Sequence, residues 1–135
     1  MIETNFFKII PYENLIVSEF FGSWDMAVTK EYLEEAFTVI RQRYSHMPYA
    51  VLDDCRKWEI NTPEATQFWK ETFANANINL PTHVAYVVGG SGLKSWVIDE
   101  MTKGAGPFKK AIFDDFHEGL KWLESYGYKT SHPSI

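Results

Sequence analysis

A chain of 135 residues with 45% apolar and 16% aromatic side chains is built to fill one core, which excludes a disordered or fibrous protein. A net charge of −5 with only short basic runs argues against nucleic acid and anionic lipid as partners. The single cysteine, Cys55, excludes an intrachain disulfide, and no apolar run approaches the length of a membrane span. No basic stretch leads into a long apolar core near Met1, so a cytoplasmic location is expected.

Residues 6–10 and Leu15 to Phe21 are β-prone and flank the turn Pro11-Tyr-Glu-Asn14, which predicts an antiparallel pair. Gly22-Ser23-Trp24-Asp25 then breaks the strand, and either Asp25 or Thr29 caps the helix that follows. Leu33, Ala36, Phe37, Ile40 and Tyr44 give that first helix one apolar stripe. Met47-Pro48 ends it. Tyr49-Ala-Val-Leu-Asp-Asp54 reads as a central strand covered on both faces and stopping at two carboxylates.

Cys55 to Asn61 reads as an ordered loop. Thr62, Pro63 and Glu64 supply an N-cap, a first-turn proline and an acidic group for the helix dipole. Ala65, Phe68, Trp69, Thr72, Phe73 and Ala76 form the second helix's inner stripe. His83 to Val88 is the next strand, and Gly89-Gly90-Ser91-Gly92 is a tight turn into a third helix with Leu93, Trp96, Val97 and Met101 on one face. Lys109 to Phe113 is the last strand. Asp115 with Glu118 resembles a capping box for a final helix that buries Phe116, Leu120 and Leu123. The domain spans 1–127, and the aperiodic tail 128–135 is expected to be loose.

The order β-β-α-β-α-β-α-β-α predicts an α/β fold: one domain, a mixed, mostly parallel sheet with an antiparallel first strand, and four main helices. Four segments stand out together: Asn14-Leu-Ile-Val with Gly22, Val51-Leu-Asp-Asp, Val84-Ala-Tyr-Val-Val and above all Phe113-Asp-Asp-Phe-His-Glu-Gly-Leu-Lys-Trp-Leu123. Through them the chain resembles the STAS, or SpoIIAA-like, family of small bacterial proteins. The last segment is similar to the ending of a branch whose members mostly lack an assigned activity. In phospho-regulated relatives, a serine at the helix start after the central strand is phosphorylated. The resemblance puts Thr62 at that place, but Asn61-Thr62-Pro63-Glu64 lacks the aspartate, the second serine and the glycine of that pattern.

Ligands of open parallel sheets sit beyond the carboxyl ends of the strands. Ser23, Trp24, Asp54, Arg56, Trp58, Gly90 and Ser91 all fall on connections assigned to that edge and are the candidate ligand-binding residues. Trp24 and Trp58 occupy polar contexts and would be its aromatic walls. Arg56 and Lys57 beside Trp58 would suit an anionic head on an apolar body. Asp53 and Asp54 face opposite sides of a strand, so one capping and one solvated carboxylate is the expectation, not a metal pair. The acidic neighbours of Cys55 disfavour a thiolate, and His46, His83, His117 and His132 lack metal-ligand spacing. No catalytic group, metal or cofactor is assigned.

The leading expectation is a non-catalytic regulatory or protein-interaction module, self-associating as a homodimer because the chain carries more aromatic residues than one small core readily hides. The alternative is a binder of a small apolar or lipid-like anion at the sheet edge. An enzyme ranks third and would announce itself by a buried titratable group with a shifted pKa in a pocket.

Overall fold

The computed structural model describes residues 1–130. Its strands are β1 (Ile2–Glu3), β2 (Phe7–Pro11), β3 (Leu15–Trp24), β4 (Ala50–Asn61), β5 (His83–Val87) and β6 (Lys109–Phe113). The helices are α1 (Met26–Arg43), α2 (Pro63–Ala74), α3 (Gly92–Met101) and α4 (Phe116–Glu124). The strands form one sheet in chain order, β1 through β6. The first three are antiparallel neighbours, and β3, β4, β5 and β6 run parallel. The mixed sheet, its mostly parallel character and the four helices match the expectation. The two-residue β1 is the element the sequence reading lacked, being too short to show a period.

Alternation of side chains divides the structure into two layers. Val51 and Cys55 of β4, with Val84 and Tyr86 of β5, join Tyr32, Ile40, Trp69 and Ile98 from α1, α2 and α3. Leu52, Ala85 and Val87 point the other way, onto Leu123 of α4. Gly119 sits where that helix crosses the sheet: a Cβ there would meet Val87 at 3.4 Å and Phe113 at 3.5 Å. Asp25 caps α1 by accepting from the Val28 amide at 2.9 Å, which settles the choice between Asp25 and Thr29. Thr62 caps α2, accepting from the Ala65 amide at 3.3 Å, and Asp115 caps α4.

Four expectations need correction. The central strand does not stop at Asp53-Asp54; it continues to Asn61, because β3 also runs on, to Trp24, and the two stay paired through two register shifts. The segment assigned to a loop is therefore strand, and Ile60 absorbs the irregularity at φ 65°, a costly conformation for a β-branched residue. Leu93 and Trp96 do not pack inward, since α3 turns Val97, Ile98 and Met101 to the core and leaves those two 59% and 62% exposed. The tail is tied down at its start. Tyr128 is buried, its hydroxyl 2.6 Å from Thr82 Oγ1, while Asn14 holds the backbone at Gly127 and Lys129. Residues 131–135, including His132, lie outside the described residues.

Candidate functional site

Trp24 and Trp58, taken as walls of an edge pocket, are buried in an aromatic cluster under the helices. Phe20 lies 4.4 Å from Trp24 and 6.0 Å from Trp58 between ring centroids. Their loops are strands, and the inward face of each strand takes the ring out of water. Ser23 sits 3.5 Å from a carboxylate oxygen of Glu59. The Gly90 amide donates to Asp114 at 2.8 Å, and the Ser91 hydroxyl accepts from the Lys94 amide at the start of α3. Gly89 and Gly90 both have positive φ, so the glycine-rich stretch is a turn closed by its own chain's carboxylate.

Asp54 faces the α4 layer and is neither a cap nor solvated. Arg56 clasps it with two parallel bonds, Nε to Oδ1 at 2.9 Å and Nη2 to Oδ2 at 2.7 Å, and the Arg56 amide adds a third at 3.2 Å. Arg56, Trp58 and Ser91 do border one shallow, solvent-open groove together with Lys94, whose ammonium donates to the Arg56 carbonyl. Candidate edge residues are thus brought near one another, each already engaged in holding the fold.

The chemically unusual group is the neighbouring carboxylate. Asp53 is 3% exposed on the α1–α3 face of β4. Strand order forces it there: Val51 and Cys55, two residues to either side, belong to the same buried face. Its Oδ1 is buried with no hydrogen-bond partner. Burial pushes its carboxyl up to about 8, with the nearby Tyr32 hydroxyl opposing the shift and Asp54 adding to it. At neutral pH the group is mostly the uncharged acid. Tyr32 also shares a hydrogen bond with Ser18 at 2.9 Å and stacks on Trp69 at 5.7 Å.

Asp53 lines a small cavity of about 40 Å³ between the sheet and helices α1 and α2. That is room for a few waters. Six aromatic side chains wall it: Tyr32, Phe37, Trp69, Phe73, Tyr86 and Phe108. Besides Asp53, the polar groups among the lining residues are the Tyr32 and Tyr86 hydroxyls and the Trp69 indole. The sequence reading passed over this site because it ended the strand at Asp53. The signal was present in the alternation Val51, Asp53, Cys55, which puts a carboxyl on an inward face. No group of three or more acidic, histidine or cysteine side chains with metal-binding geometry occurs among the described residues.

No family model matches this chain, and no curated protein matches it. Among solved structures it is similar to an uncharacterised protein of the DUF3478 family with a SpoIIAA-like fold, from Shewanella loihica PV-4. That match has a TM-score of 0.64 and 16% identity, and covers 91% of this chain and 99% of the other. At that identity the likeness establishes the fold: the chain has a SpoIIAA-like fold, as the sequence resemblance implied.

Proposed function

We propose that this SpoIIAA-like domain is a non-catalytic binding module that takes a small, mostly apolar molecule into the cavity under α1 and α2. The supporting observation is the unpartnered Oδ1 of Asp53 in an otherwise mostly apolar wall of aliphatic and aromatic side chains. An asparagine or valine would occupy that position at lower cost to the fold, and positions that break a local rule in this way mark function more often than architecture. The ligand site thereby moves from the strand ends to the helix-covered face of the sheet.

The same acid is what proton-transfer catalysis requires, but catalysis requires a second positioned group as well. The cavity offers phenols there, and burial raises the ordinary values of Tyr32 and Tyr86 well above 10, leaving both neutral. Cys55 is likewise pushed up by burial and by Asp53. One proton-bearing group among neutral aromatic walls suits binding. Titration of dimethyl sulfide and 2-propanol, followed by the aromatic NMR signals of Tyr32 and Trp69, tests this. Saturable shifts are expected in the wild type and not in Ala36→Phe, which fills the cavity. No saturable shift with either compound overturns the reading.

A second reading, docking of another protein or a second copy, is favoured by Leu93 and Trp96, exposed three residues apart on α3. The earlier ground for a homodimer has weakened, because Phe6, Trp96 and Tyr126 are the only aromatic residues exposed among the described residues. Sedimentation of the wild type beside Trp96→Glu separates association through this face from a monomer.

A further inference from the structure

We infer that the cavity's ligand is a small organic cation, an ammonium on a compact apolar body, which forms an ion pair with Asp53 inside the aromatic wall. This rests on the cavity being a binding site, as proposed above, and adds the chemistry of the ligand. Three observations carry it. Asp53 is the one carboxyl lining the cavity, and its buried Oδ1 has no hydrogen-bond partner. No lysine, arginine or histidine lines that cavity, so nothing in the wall competes for the carboxylate. The remaining wall is rich in aromatic rings, whose faces attract cations, most strongly where water is excluded.

A neutral hydrogen-bond acceptor would also engage the acid, through one hydrogen bond. A cation gains that bond, the attraction of opposite charges in a poorly solvated space, and the ring faces together. The protein's net charge of −5 further favours the approach of cations.

The two ligand types move the proton in opposite ways. Asp53 is the protonated acid below about pH 8. When an ammonium enters, the carboxyl releases its proton to solvent, leaving carboxylate and ammonium as a neutral pair. One proton appears in solution for each cation bound, so affinity rises with pH until Asp53 is ionised in the free protein. A neutral acceptor needs the proton in place, and its affinity falls as pH passes the same point. The other titratable groups facing Asp53 do not blur this. Tyr32 from α1, Tyr86 from β5 and Cys55 beside it on β4 are raised by burial. Asp54 lies on the opposite face against Arg56. Serine and tryptophan, Ser18 of β3 and Trp69 of α2, complete the surroundings and do not titrate.

The test is calorimetric titration of the full chain with isopropylamine and with its neutral isostere 2-propanol, at pH 6, 7 and 8 in two buffers of different ionisation enthalpy. At pH 8 isopropylamine is expected to bind at least tenfold more tightly than the alcohol. Its affinity is expected to rise about tenfold between pH 6 and pH 7, with one proton released. Asp53→Asn should remove the amine preference and the pH dependence. Amine binding that equals alcohol binding, or that weakens with rising pH, overturns the cation while the binding module stands. If neither compound binds, both readings fall.

Discussion

Replacing Asp53 by asparagine is expected to make the protein more stable, by an amount that grows with pH. The folded carboxyl holds its proton up to about pH 8, whereas a free aspartate loses it near 3.8. Between those values the folded state binds one proton more than the unfolded state, so stability falls as pH rises, by about 1.4 kcal/mol per pH unit. Across the window of roughly four units the cost reaches about 5 kcal/mol at pH 8, and it is flat above that. Below pH 4 both states are protonated and the cost vanishes. Asparagine has nearly the same shape as the neutral acid and no such slope. Urea unfolding of wild type and Asp53→Asn, read by the fluorescence of buried Trp24, Trp58 and Trp69, measures the difference at pH 4 through 8. Every other titrating group is common to both proteins and cancels. The curves should meet near pH 4 and diverge by several kcal/mol at pH 8. A difference that stays constant with pH would refute the account of Asp53 as a buried neutral acid.

Trp58→Ala removes a side chain 1% exposed that packs on Phe20, and should cost about 3–5 kcal/mol in urea unfolding. Retained stability would return Trp58 to the surface role its sequence context suggested. Arg56→Ala strips the two-pronged clasp from a nearly buried Asp54 and should cost about 1–3 kcal/mol, most of it regained in Asp54→Asn/Arg56→Ala. Thr62→Ala should lower stability by about 1 kcal/mol through the lost cap, with Thr62→Ser near wild type. Phosphothreonine at 62 in protein isolated from its own cells would show that this hydroxyl has a regulatory use as well.

Helices and strand directions were legible because their signals are local. The spacing from Leu33 to Tyr44 and the Thr62-Pro63-Glu64 start declare helices without reference to the rest of the chain, and a helix between strands dictates a parallel pair. The second half of β4 was not legible. Arg56, Lys57 and Glu59 read as loop because they are exposed, and only the pairing of Phe21 and Gly22 with Lys57 and Trp58 reveals a strand. Losing that half displaced the site: Asp53 became a strand end in the reading, when it is a mid-strand residue with helices over it. The exposure of Trp96 was hidden for a related reason. A tryptophan on a helix stripe defaults to the core, and only the seating of α3 decides otherwise.

Strand order in the sheet follows order in the chain, and this bears on how the molecule is made. Each strand joins at a free edge, so none has to be inserted between two that are already paired. Short turns close the antiparallel β1–β3 unit first, and every later strand waits for a helix to bring it back. While β5 is still missing, β4 is the open edge, and its segment Ala50 to Asp54 is the kind of apolar stretch that recruits other unfinished chains. Asp53 and Asp54 lie at the end of that same edge segment. Acidic side chains on a bare strand edge are one of the devices that keep it from pairing with the same edge of a second chain.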